Sequence, residues 1–146
     1  MLRKLPQVAI PFIWFGMIAA ISFMEAPLKF QAPGITLPLG LGIGRLIFFA
    51  LNKMEIVLAV IFILSLLGAR TIRKAATVSF GVIVLILITE TIWLLPALDV
   101  RAGQVIAGTA EPFSNLHLFY IAFDAIKLIL LFLLGTLMLR QHLRTE

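Results

Sequence analysis

The chain has 146 residues, 62% of them hydrophobic and 13% charged, with a mean hydropathy of +1.12, against roughly 45–50% apolar and 25% charged in a soluble domain; it reads as an integral membrane protein of one domain. The absence of cysteine excludes disulfides, thiolate metal sites, Cys-ligated iron–sulfur clusters and c-type haem attachment. The net charge of +5 is not a nucleic-acid signal, because the excess sits in short segments between apolar runs.

Those segments carry Arg3 and Lys4 before the first run, Arg70, Arg73 and Lys74 between the second and third, and Arg140 and Arg144 after the fourth. An even number of spans puts all of them on one side of the bilayer. The positive-inside rule makes that side the cytoplasm, for both termini, and the plasma (inner) membrane the expected location. The expectation is therefore an all-α four-transmembrane-helix bundle with cytoplasmic N and C termini and spans at about 6–25, 43–69, 75–95 and 114–139.

The first span opens like a signal peptide, with Met-Leu-Arg-Lys before an apolar run. The run from Pro6 to Met24 is long for an h-region and no small-x-small cleavage site follows, so it reads as a membrane helix. Trp14, Ile18, Ser22 and Glu25 share one of its faces. The following EAPLKFQAPGITLPLGLGIG is dense in proline and glycine, which break helices, and reads as a loop lying on or dipping into the outer face. Its GLGIG lacks a preceding strand and the Gly-x-Gly-x-x-Gly spacing of a nucleotide loop.

The second span places Arg45, Phe48, Asn52 and Glu55 at spacings of 3, 4 and 3. The third is interrupted by Thr89, Glu90 and Thr91, with Pro96 as its expected end; the segment from there to Pro112, with Asp99, Arg101 and Glu111, suits a short amphipathic helix. Ser114 is the expected cap of the fourth span, which carries His117, Tyr120, Asp124 and Lys127 at the same 3, 4, 3 spacing. At about 100° per residue each set forms one stripe. Because both helices run in the same direction, equal spacing sets Arg45 beside His117, Phe48 beside Tyr120, Asn52 beside Asp124 and Glu55 beside Lys127.

Helical rise places Glu55, Glu90 and Asp124 at one level, roughly 21–23 Å from the cytoplasmic side, in the outer half of a hydrocarbon layer about 30 Å thick. Asn52, Tyr120 and Glu25 come a few ångströms further out, with Arg45 and His117 at the mouth. Charged groups inside a span turn toward protein or a water-filled cavity and mark a site by default. Glu25, Arg45, Asn52, Glu55, Glu90, His117, Tyr120, Asp124 and Lys127 are thus the candidate ligand- or ion-binding residues, with Lys53, Lys127 and Arg45 the available cations. No catalytic residue and no cofactor is specified. A permanent metal is not expected, since nitrogen ligands are scarce and the Glu-x-x-His pairs of four-helix carboxylate sites are absent.

The function expected first is binding or translocation of an ion or small polar solute, with the carboxylates carrying a proton or cation and Lys127 as internal counter-ion. A purely structural charge network uses the same residues as glue between helices. A membrane enzyme would use His117, Tyr120 or a carboxylate as acid or base on a lipophilic substrate. Here the Asn52-x-x-Glu55 pair in a second span, with Arg45 upstream, resembles the membrane-associated eicosanoid and glutathione metabolism enzymes; the resemblance implies that Arg45, Asn52 and Glu55 hold a polar ligand. The chain departs from that family in the longer Arg45-to-Asn52 spacing and in lacking its Arg-and-Tyr pattern in the later spans. An accessory subunit of a membrane complex is the third class, in which the stripes meet partner helices. The expected partners are the lipid bilayer, the solute and a second copy or partner membrane subunit, with Gly16, Ala19, Ala20 or Gly81 at the contact, and no nucleic acid.

Overall fold

The structure, a computed structural model, describes residues 4–67, 72–111 and 114–143. The basic residues Arg3, Arg70 and Arg144, the expected end of the second span at 69, and Pro112 lie outside the described residues. The protein is 89% helical, with no strand among the described residues. Four helices are long and apolar enough to cross a membrane: α1 (Leu5–Gln31), α2 (Leu37–Leu66), α3 (Lys74–Ile106) and α4 (Asn115–Leu143). Each exceeds the roughly 20 residues that a bilayer requires.

These boundaries correct the sequence reading at the end of the bundle away from the termini. The expected loop over 25–44 is mostly helical, leaving only residues 32–36 between α1 and α2. Pro38 does not break it because it falls in the first turn of α2, where a missing N–H has no partner to lose, and Pro27 is accommodated within α1. Thr36 caps α2, its Oγ1 accepting from the Leu39 N–H at 3.4 Å. Pro96 does not end the third span either. The expected amphipathic helix is instead the last part of α3, continuous through Leu95–Ile106.

Both proline passages use one device. A π-helical stretch, Ala19–Glu25 in α1 and Glu90–Leu94 in α3, ends one residue before the proline-bearing turns at Ala26-Pro27 and Leu95-Pro96. Bonding i→i+5 widens the turn ahead of the pyrrolidine ring, which in a regular α-helix would strike the carbonyl four residues back.

Helix α4 packs most extensively on α1 and α3, while α2 packs on α1 and on the Leu95–Ile106 part of α3. Toward the termini, Ile10, Trp14, Ile18, Leu58, Phe62, Ile83, Leu131, Leu134 and Met138 make the larger apolar core. At the other end Leu94, Leu95 and Tyr120 make a smaller one with Phe48 against it. Gln7, buried near the first of these ends, donates to the Ser65 carbonyl at 2.6 Å and ties α1 to the last turn of α2.

The α1–α4 contact depends on Gly135. A Cβ there would lie 2.8 Å from two atoms of the Phe12 ring, and that ring is already held edge-on to Phe132 at 6.1 Å between centroids. Gly135→Leu is expected to destabilise the fold by about 1–3 kcal/mol through overpacking, read as a lower Tm in detergent; an unchanged Tm would mean that the two helices part at no cost. By contrast, Gly16 and Gly81, both candidates for helix contacts by size, are exposed, and a methyl group added at either would meet no atom within 4 Å among the described residues. Lys53 is also exposed, because it is one residue away from the Asn52 face, so it does not join the buried charges.

Candidate functional site

The fold gathers four of the nine candidate residues into a closed cluster between the two apolar cores. Lys127 Nζ, from α4, donates to Glu55 Oε1 of α2 at 2.8 Å and to Glu90 Oε2 of α3 at 2.5 Å, and lies 2.9 Å from Asp124 Oδ1 one turn back on α4. All four side chains are fully buried. The Asp124 contact falls outside good hydrogen-bond geometry and is chiefly a charge pairing. An ammonium has three N–H donors, and here three carboxylates surround it.

Helix α1 contributes the fourth wall. The Trp14 indole, 1% exposed, donates Nε1–H to Glu55 Oε1 at 2.8 Å, so that one oxygen accepts from both Trp14 and Lys127. Beside Glu90, Asn52 and Thr91 hydrogen-bond to each other at 3.0 Å, and Thr91 Oγ1 also donates to the Leu87 carbonyl at 2.7 Å. Thus Asn52 supports the α2–α3 seam next to the cluster and does not touch the ammonium. Four donors from Lys127 and Trp14 face six carboxylate oxygens, and Glu55 Oε2, Glu90 Oε1 and both Asp124 oxygens have no hydrogen-bond partner among the described residues. Among those same residues no group of three acidic or histidine side chains is disposed to hold a metal ion. The reason is plain in the geometry: Lys127 Nζ occupies the centre toward which the carboxylates point.

The other candidates belong to a separate space. A pocket of about 780 Å³ opens at the end of the bundle away from the termini, with Arg45, His117 and Tyr120 in its wall together with Ser22, Lys29, Asp99 and Arg101. Apart from Ser114 and Asn115 its remaining lining is apolar, from Phe23, Phe30, Phe48, Phe49, Leu98, Leu118 and neighbours. Tyr120 forms part of the floor, packed edge-on against Phe48 at 5.1 Å, one helical turn from Asp124. The pocket and the cluster are therefore adjacent but walled off by these two rings. Of the nine candidates, Glu55, Glu90, Asp124 and Lys127 form the cluster, and Arg45, His117 and Tyr120 line the pocket.

Arg45 does not reach toward His117. It forms a two-point pair with Asp99, Nε to Oδ1 at 2.5 Å and Nη2 to Oδ2 at 3.0 Å, which pins α2 to the continuation of α3. Arg101 donates to the Glu111 carbonyl at 2.7 Å. Glu25 lies apart from the other carboxylates and pairs with Lys29 at 3.4 Å. The equal spacing of the two stripes is realised at two levels, Phe48 with Tyr120 and Glu55 with Lys127.

Sequence reasoning misses Trp14, Thr91, Lys29 and Asp99 as site-forming residues. Trp14 carries a usable signal, since it shares a helical face with Ser22 and Glu25. Lys29 carries one as well: it stands four residues after Glu25, the spacing of a helical ion pair, but the prolines around it point to a loop.

The chain matches no protein-family model, and no curated protein or solved structure is similar to it.

Proposed function

We propose that this is a small plasma (inner) membrane protein, termini on the cytoplasmic side, that binds and translocates an ion, and that the ion is a proton held by the cluster of Glu55, Glu90, Asp124 and Lys127. The observation that carries this reading is a single ammonium within 2.9 Å of three fully buried carboxylates. One positive charge balances one of the three. Two further negative charges with no exposure to solvent are costly in a low-dielectric interior, so the cluster is at rest when protons make up the difference. The four oxygens without hydrogen-bond partners among the described residues are the places where such protons would sit.

Tyr120 supports a route. Its hydroxyl is buried at the pocket floor, one turn from Asp124, and a phenol both donates and accepts. Protons entering the pocket would pass through it to the cluster. The orientation rests on the lysines and arginines: in sequence Arg3, Lys4, Arg70, Arg73, Lys74, Arg140 and Arg144 flank the spans on the termini side, against Lys29, Arg45 and Arg101 toward the other.

The test is proton flux into vesicles containing the purified protein under an imposed potential, followed with an entrapped pH dye. Wild type is expected to acidify the lumen, Glu90→Gln to fall to the rate of protein-free vesicles and Tyr120→Phe to slow it, with both variants retaining the wild-type melting profile. Wild-type flux no faster than empty vesicles, or Glu90→Gln flux equal to wild type, would overturn the proposal in favour of structural charge pairing.

A further inference from the structure

The pocket next to the cluster has a chemistry of its own, and its occupant can be argued without reference to proton movement. Three basic side chains, Lys29, Arg45 and Arg101, stand in its wall against one acid, Asp99. Arg45 and Asp99 satisfy each other. Lys29 is different: its side chain is only 10% exposed, and the ionic contact it makes, to Glu25, is long at 3.4 Å. The ammonium otherwise lies among aromatic rings, 5.4 Å from the Phe48 centroid and 5.5 Å from that of Phe30.

The backbone is shaped to hold it there. A Cβ on Gly44 would come within 2.9 Å of Lys29 Nζ, so the absence of a side chain at that position lets the ammonium lie against α2. From there Phe48 links it to Tyr120, whose ring is 5.1 Å away edge-on. The Tyr120 and Ser22 side chains, both in residues that line the pocket, have buried hydroxyls that turn toward each other. A largely buried ammonium whose ionic partner stands at 3.4 Å, set in the wall of an apolar pocket, is a receptor for an anion.

The rest of the wall selects what the anion is attached to. It is dominated by phenylalanine and leucine, and several of these, Phe23, Phe30, Phe49 and Leu118, are exposed. The volume lies within the roughly 300–1,000 Å³ of small-molecule sites. A hydrocarbon body can therefore lie in the pocket and leave toward the bilayer.

We infer that the pocket binds an anionic amphiphile, a carboxylate or phosphate head seated against Lys29 with its hydrocarbon chain along the phenylalanine-lined wall. The inference does not rest on proton binding by the cluster, and either can fail without the other.

The test uses purified protein in neutral detergent and a long-chain fatty acid carrying a conjugated fluorescent polyene, with its methyl ester and the amine of equal chain length as probes. The acid is expected to bind at one per chain, and the ester and amine at least about tenfold more weakly, the equivalent of one charge-assisted hydrogen bond. Lys29→Met is expected to weaken the acid by about the same factor and to leave the ester unchanged. Gly44→Ala, which removes no charge but displaces Lys29, should weaken the acid as well, whereas Lys29→Arg should retain more of the binding than Lys29→Met. Displacement of the probe by an anionic diacyl phospholipid would identify a bilayer lipid as the source of the head group; displacement only by single-chain acids would identify a free amphiphile, and both outcomes support the inference. Equal affinity for acid, ester and amine, or acid binding untouched by both Lys29→Met and Gly44→Ala in folded protein, would overturn it.

Discussion

Lys127→Met is expected to be the most damaging single substitution in this protein. The methionine fills much of the same volume, so the loss is electrostatic: Glu55, Glu90 and Asp124 would keep their places in the interior without the cation that faces all three. Breaking a buried ion pair by removing one partner costs about 3–5 kcal/mol in soluble proteins, a large fraction of the roughly 5–15 kcal/mol that holds a typical domain together. The expected result is a severe drop in the yield of monodisperse protein and in Tm. The control that isolates the cause is a quadruple variant, Lys127→Met with Glu55→Gln, Glu90→Gln and Asp124→Asn, which removes the charges together and should recover a good part of the lost stability. If Lys127→Met melts like wild type, the cluster is not where the bundle's stability is concentrated.

The second largest effect is expected at Trp14. The indole is 1% exposed, belongs to the larger apolar core and donates to Glu55, so Trp14→Ala removes packing and a hydrogen bond at once. Aromatic-to-alanine changes in cores cost about 3–5 kcal/mol. In a bilayer the transfer part of that cost is reduced because lipid is as apolar as the interior, so a value near the low end, about 3 kcal/mol, is expected. Trp14→Phe divides the two contributions: it keeps most of the ring contact and loses only the N–H, and should cost about 1.5–3 kcal/mol, as for a hydrogen bond to a charged group. Equal Tm values for Trp14→Phe and wild type would show that Glu55 does not depend on the indole.

Much of this arrangement can be read from residue order. Four apolar runs of spanning length are plain, and Glu55, Glu90, Asp124 and Lys127 can be brought together because charges are so rare in those runs that their depth and helical phase have few alternatives. What residue order does not reveal is where polar space divides. That depends on the Phe48 and Tyr120 rings, which in sequence look like members of the polar stripes and in the fold close the floor between cluster and pocket. The pocket itself is hidden by prolines. Pro27, Pro38 and Pro96 signal a loop and a helix end, whereas the π-helical stretches before Pro27 and Pro96 carry α1 and α3 straight through and deliver Lys29, Asp99 and Arg101 to one wall. No single-residue pattern announces an i→i+5 turn. Lys53 shows the converse: its charge suggests membership, but one residue of helical phase takes it to the outside.

The layer of charge between two apolar cores also fixes how the helices sit along one another. Apolar contacts carry little direction of their own, and on the termini side of α4 only Gly135 is tied to one neighbour, while Leu131, Leu134 and Met138 are of similar size and character. Lys127 admits no such substitute, because a one-turn displacement would carry its ammonium and Asp124 away together and strand Glu55 and Glu90 among apolar side chains. The costliest residues in the chain thereby act as an index mark, turning an otherwise slippery stack of greasy rods into one assembly with a single alignment.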